Sequence, residues 1–377
     1  MDDFDQIRPY TDEELPGVIN RLVADQELNS AATAFLLPRL GNLYPSFSKL
    51  LLSLYFRILR RRFHNITDFQ SFLSLHMAKL IEETIVELQV DGLENLDNRK
   101  PYLFISNHRD IFMDAGLINF VIRQSGHDTA RIAVGDNLLS RPFAADLIRL
   151  NKGFIVERSV SGARAAYSAL RRTSGYIKQS LEEGHSVWIA QRQGRSKDGF
   201  DRTDPALIKM LALSHGGRHK ITYSKFVDEM CIVPVAISYE IDPCDHLKAH
   251  ELYITHRDGE YLKPTGEDLH SIVTGMTGFK GRVKLDFAPP LVGEFETNDS
   301  IANAIDAAIV RRLQVFPTHI SAAKSLGISV PSIDLDIIPE VKEKFNERIS
   351  RCPPGERELL LEGYANLLRN KQEINSG

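Results

Sequence analysis

Apolar residues change their spacing twice along this chain. From the N-terminus to about residue 92 they recur at helical intervals, first in Ala31-Ala32-Thr33-Ala34-Phe35-Leu36-Leu37 and then through a long periodic region from Ser48 to Leu88. Pro45 and the cluster Asn65-Ile66-Thr67-Asp68 punctuate that region. From Lys100 the pattern becomes short β-rich runs separated by helical ones: Tyr102–Ile105, Ala130–Val134, Phe154–Val156, Val187–Ala190, Ile232–Ser238 and Lys284–Phe287. Strands alternating with helices predict an α/β fold with a mixed, largely parallel central sheet flanked by helices. Asp204-Pro205 is an N-cap followed by a first-turn proline, which starts a helix over Ala206–Leu213. After Thr297 helical spacing returns, and Pro353-Pro354 separates two final helices near Glu340–Ser350 and Glu356–Arg369. The expected organisation is a helical region over 1–92, an α/β domain over 93–318 and a helical extension over 319–377.

With 377 residues, 43% hydrophobic and 25% charged, the chain is long enough to bury a large core. Cys231, Cys244 and Cys352 have neither metal-ligand nor disulfide-framework spacing, which favours a reducing compartment. Met1-Asp2-Asp3-Phe4-Asp5 is acidic and lacks the basic-then-apolar order of a secretory signal. No apolar run approaches the roughly 20 residues that cross a bilayer. The net charge of -4 hides an asymmetry, because Lys152 to Lys220 holds 13 Lys and Arg against 6 Asp and Glu. That stretch favours an anionic ligand.

The candidate chemistry begins with Ser106-Asn107-His108-Arg109-Asp110-Ile111-Phe112-Met113-Asp114, at a turn between an apolar run and a helix. An imidazole held by a carboxylate can take a proton from a hydroxyl at neutral pH. Three further segments follow in order: Lys152-Gly153-Phe154-Ile155-Val156-Glu157-Arg158; Val187 through Gln191-Arg192-Gln193-Gly194-Arg195-Ser196-Lys197-Asp198-Gly199; and Ile232-Val233-Pro234-Val235-Ala236-Ile237. Together, over roughly Lys100 to Ser238, they resemble the four sequence blocks of the glycerolipid acyltransferase family, whose members acylate glycerol 3-phosphate and lysophosphatidic acid. The resemblance implies His108 as general base and Asp114 as the carboxylate that orients it. The acceptor hydroxyl then attacks an acyl thioester directly, in keeping with the lack of a Gly-x-Ser-x-Gly motif. It further implies Arg158 and Arg195 as phosphate ligands, since a guanidinium fork matches phosphate oxygens. Lys152 and Lys197 would add looser charges, Arg192 is equally a solvated strand-end residue, and Gly194 would let the backbone approach the ligand. Pro234 matches the proline of the fourth block, or simply marks a strand edge or a bulge.

Two departures from the family pattern stand out. Most members have four residues between the histidine and the aspartate, and here there are five. Asp114 is the expected partner of His108 and Asp110 the alternative; Asp110 would cap the next helix and a bulged first turn would absorb the extra residue. Gln193 stands where the family usually has Glu, keeping the shape and losing the charge. The resemblance therefore implies an O-acyltransferase that uses acyl-CoA or acyl carrier protein thioesters, with lysophosphatidic acid the first choice of acceptor and a lyso-aminolipid the alternative. A non-catalytic lipid-binding protein on the same fold is the reading from another class. Neither cofactor, metal nor nucleic acid is expected. Lys49 to Phe63 carries five positive charges and no negative ones along a wide apolar face, which suits a monotopic contact with anionic lipid at the cytoplasmic face of a membrane.

Overall fold

The computed structural model describes residues 4–29, 60–139, 141–215, 221–330 and 335–376. Its strands are β1 (Ile85–Asp91), β2 (Leu103–Ser106), β3 (Arg131–Gly135), β4 (Gly153–Val156), β5 (Val187–Ala190), β6 (Ile232–Tyr239) and β7 (Gly281–Phe287). Helices are α1 (Leu15–Ala24), α2 (Ile66–Thr84), α3 (Met113–Gln124), α4 (Pro142–Leu150), α5 (Ala163–Glu182), α6 (Pro205–Leu211) and α7 (Tyr223–Met230). They continue with α8 (Asp245–Asp258), α9 (Glu267–Thr277), α10 (Asn298–Arg312), α11 (Pro317–Ser325), α12 (Pro339–Arg351) and α13 (Arg357–Ser376). The chain divides into two compact units, Met1–His76 with Arg131–Tyr176, and Met77–Ala130 with Ile177–Gly377.

In the first unit β3 and β4 pair in parallel, Ile132 opposite Gly153 through Gly135 opposite Val156. The core forms because α1 spaces Leu15, Val18, Ile19 and Leu22 on one helical face, which closes on Ile66, Phe69, Phe143 and Leu150. The second unit holds five strands in the order β1-β7-β6-β2-β5, with β6 and β7 antiparallel and the other pairs parallel. All residues of β2 and β6 are buried, as strands covered on both faces require, and their sequences are correspondingly almost wholly apolar. β7 instead alternates, burying Val283, Leu285 and Phe287. The mixed, largely parallel sheet with flanking helices expected from the sequence is therefore present.

Three details differ from expectation. The helical periodicity read as far as Leu88 stops at Thr84, and Ile85-Val86-Glu87-Leu88-Gln89-Val90-Asp91 forms β1. Pairing with β7 overrides the apparent helical continuity, because the alternating side chains of this segment fit a pleated surface. Pro234 marks no edge: β6 lies between β2 and β7. It is tolerated because the antiparallel ladder starts one residue later, at Val235 opposite Phe287, while the Pro234 carbonyl still accepts from Ala288 N at 2.9 Å. The third is the turn before α3, described with the site below. The basic amphipathic segment proposed for membrane contact lies outside the described residues up to position 59; Arg60–Arg62 form a short 3-10 turn. Among the described residues no helix is long and apolar enough to cross a membrane.

Lys280, just before β7, is fully buried. Its Nζ donates to Gly278 O at 2.8 Å, Thr84 Oγ1 at 3.0 Å and Met276 O at 3.3 Å, closing the end of α9. Burial pushes its ammonium down from 10.5 to about 8, against the opposing pull of Asp110. Between those values the unfolded chain holds a proton that the folded chain has released, so stability rises as pH rises from about 8 towards 10.5. The expected gain at this site is about 3 kcal/mol in all. Denaturant titrations at pH about 8 and about 10 should show a smaller gain for Lys280→Met than for the native chain; equal gains would refute the assignment.

Candidate active site

The candidate site stands at the carboxyl ends of the parallel neighbours β5, β2 and β6, where loops leave the sheet. After Ser106 the chain runs without regular structure through Asp110, turns at Ile111 and Phe112, and enters α3 at Met113. Asn107 ties the exit of β2 to its neighbour: Nδ2 donates to Ile237 O at 2.9 Å and Oδ1 accepts from Ile237 N at 2.8 Å. Ser106 Oγ donates to Asn107 O at 2.8 Å and accepts from Trp188 Nε1 at 3.0 Å. His108 thus leaves a backbone that three buried side chains hold.

His108 Nδ1 lies 2.8 Å from Asp114 Oδ2. The same oxygen accepts from the backbone N–H of Arg109 at 2.7 Å and of Asp110 at 2.9 Å, and Oδ1 accepts from the Tyr239 hydroxyl at 2.8 Å. Asp114 is fully buried, so these four donors replace the water it has lost. With both carboxylate oxygens engaged as acceptors, Nδ1 is the donor nitrogen of the neutral ring and Nε2 carries the lone pair. Nε2 has no hydrogen-bond partner among the described residues, and the imidazole is 14% exposed. Tyr239 is held in its phenol form, its hydroxyl pushed well up by burial and by the charge of Asp114.

The extra residue between His108 and Asp114 is accommodated before the helix, so α3 needs no bulge. Asp110 Oδ1 accepts from Phe112 N at 2.9 Å and Met113 N at 2.8 Å, capping the entry to α3 as expected. Asp114 then falls in the first helical turn, and it is Asp114 that meets His108. Asp110 Oδ2 is buried without a partner among the described residues, against Gly275 of α9. Burial and, after it, the charge of Asp114 push its carboxyl up.

The Gly- and Arg-rich loop after β5 is bonded directly to this segment, Ser196 N donating to His108 O at 2.8 Å. Arg195 on that loop is buried; Nη2 donates to Ser271 Oγ at 3.3 Å, while Nη1 has no partner among the described residues. Gln191, fully buried, has both amide atoms unpartnered in the same sense. Gln193 and Gly194 are exposed, and Gly194 takes a left-handed φ of 76° with open space where a side chain would go. Lys197 forms an ion pair with Glu251. Arg158 and Lys152 belong to the first unit. There Arg158 N–H donates to Asp136 Oδ2 at 3.0 Å and its guanidinium lies against Gly135, while Lys152 adopts φ 58° at the turn into β4 and its carbonyl accepts from Ile132 N.

Several side chains around His108 carry no sequence signal. Arg109 pairs with the buried Asp201, and Lys248 Nζ pairs with Asp242 while donating to Arg109 O at 2.8 Å. Behind them Arg348 pairs with Asp245, whose Oδ2 accepts from Tyr364 at 2.8 Å. Arg109, Asp242, Asp245, Lys248 and Tyr364, with His319, help line a cavity of about 40 Å³, room for a few water molecules. Tyr239, Asp201, Lys248 and Tyr364 lie far from the motif in sequence, so spacing could not have found them.

A family model for acyltransferases matches residues 87–238. Among solved structures, the 1-acyl-sn-glycerophosphate (LPA) acyltransferase PlsC from Thermotoga maritima is similar, with 16% identity, 85% of this chain and 98% of that chain covered, and a TM-score of 0.38. No curated protein matches.

Proposed function

We propose that this chain, whose residues 87–238 match a family model for acyltransferases, moves a fatty acyl group from an acyl-CoA or acyl carrier protein thioester to the hydroxyl of a lysolipid. The observation that carries the reading is the free Nε2 of an imidazole whose Nδ1 is fixed by a saturated, buried carboxylate. As the acceptor oxygen forms its bond to the thioester carbonyl carbon, Nε2 takes the hydroxyl proton. Asp114 balances the imidazolium that results, much as the aspartate does in serine hydrolases, although here the nucleophile is the substrate. Collapse of the tetrahedral intermediate breaks the C–S bond, and the imidazolium returns the proton to the departing thiolate. No acyl-enzyme is needed.

Lysophosphatidic acid is the acceptor we favour. Arg195 Nη1, buried and without a partner among the described residues, is the donor we assign to a phosphate brought by the substrate. Gln193 supports a second acceptor class, a lyso-aminolipid, because a neutral amide replaces the family's usual charge at an exposed loop position. The enzyme would work from the cytoplasmic face of an anionic membrane, bound peripherally. Mass spectrometry of the products formed from mixed lysolipids and both thioester classes tests the reading. A single acylated lysolipid class supports it and identifies the acceptor; no product from any pair would leave a lipid-binding protein on this fold.

A further inference from the structure

One helix face in the first unit is left without a partner among the described residues. α5 is anchored by its inner side, where Ala169, Thr173 and Tyr176 are buried and the Tyr176 ring packs on Phe154 at 5.0 Å between centroids and on Phe4 at 5.5 Å. The outer side of its first half does the opposite. Tyr167 is 56% exposed and Leu170 40%, with Val160 37% exposed in the turn before the helix. At 100° per residue Leu170, Tyr167, Arg171 and Arg164 fall in that order across about a third of the circumference. From Arg158 to Thr173 there are four arginines and no carboxylate. Arg172 is paired with Glu157, but Arg164 and Arg171 meet no carboxylate among the described residues.

We propose that this face of α5 docks on an anionic lipid surface. The apolar strip would enter the headgroup boundary, with the tyrosine at the depth where amphipathic rings settle, and the two arginines, along one side of the strip, would meet lipid phosphates. A second copy of the chain is a poor occupant, because two such faces would set arginines against arginines. The surface is separate from the segment before Arg60, and it deepens the proposed function in that a lysolipid acceptor resides in a bilayer.

Cosedimentation of the full chain with equimolar phosphatidylglycerol and phosphatidylcholine vesicles tests it, against phosphatidylcholine alone. Native protein should bind the mixed vesicles, more weakly at high salt. Arg164→Gln/Arg171→Gln should bind about 30-fold more weakly, at about 1 kcal/mol per arginine near an anionic surface. Tyr167→Ser/Leu170→Ser should weaken binding to both vesicle types. Native failure to bind the mixed vesicles, or native-like binding by the arginine variant, overturns the proposal. So does loss of binding to an acidic carrier protein with vesicle binding intact, which would make the face a protein dock. Acylation of a short-chain, water-soluble lysolipid should be unchanged in both variants. If the native chain acylates nothing while its vesicle binding still follows the arginines, the catalytic reading fails and the lipid surface stands.

Discussion

His108→Ala is expected to lower kcat for acyl transfer by about 10²–10⁴-fold or more, the usual contribution of a positioned general base. The variant should fold, since Asp114 keeps three of its four donors and the lost side chain is 14% exposed. Asp114→Asn should fold as well: the Tyr239 hydroxyl can turn to accept from the new amide, leaving the amide oxygen to His108 Nδ1 and the two backbone N–H groups. What it loses is the charge that stabilises the imidazolium, so its kcat should fall by about 10²-fold or more. The two residues act as one unit, and the double variant should therefore be scarcely worse than His108→Ala alone. Product formation by mass spectrometry and thermal melts of each variant read the result. Native turnover by His108→Ala would remove the imidazole from the mechanism.

The dyad was legible because both members lie on one short segment whose turn geometry is local. Even the ambiguity between Asp110 and Asp114 turned on capping, and it is capping by Asp110 that brings Asp114 into register. The buried strands β2, β5 and β6 could be read for a similar reason: strands covered on both faces must be apolar throughout. β1 was hidden because its first residues continue the apolar spacing of α2, and only pairing with a strand almost 200 positions away distinguishes the two states. The helix α8 was hidden differently. Its inner face carries Asp245 and Lys248, so burial there leaves no apolar stripe to detect. Asp245 is paired with Arg348, a partner that sequence distance conceals, and Lys248 with Asp242. Tyr239 belongs to the same class, a tyrosine at the end of an apolar run that becomes informative only beside Asp114.

The C-terminal helices, to which the sequence assigned no role, are built against the loop that carries Arg195. Gly199 has φ 81° and sits so close to α13 that a Cβ on it would come within 2.4 Å of Gly363 O and 3.3 Å of Asn366 Cβ. Beside it Asn366 Nδ2 donates to Asp198 O at 2.7 Å. Gly199→Ala meets two penalties, a left-handed conformation at roughly 1–2 kcal/mol and overpacking against backbone at roughly 1–3 kcal/mol. A loss of about 3 kcal/mol and a clearly lower Tm are expected. Because Ser196 N–H holds His108 O and Asp201 holds Arg109, a displaced loop also disturbs His108, and kcat should fall by about tenfold or more. Gly363→Ala is the contrast, for a Cβ there meets only Lys197 O at 3.4 Å, an ordinary contact, and alanine suits a helix better than glycine. It should melt at or above the native temperature and turn over normally. If both substitutions prove equally mild, α13 does not clamp the loop; if Gly199→Ala alone lowers Tm and kcat together, the last helix of the chain is part of what holds His108 in place.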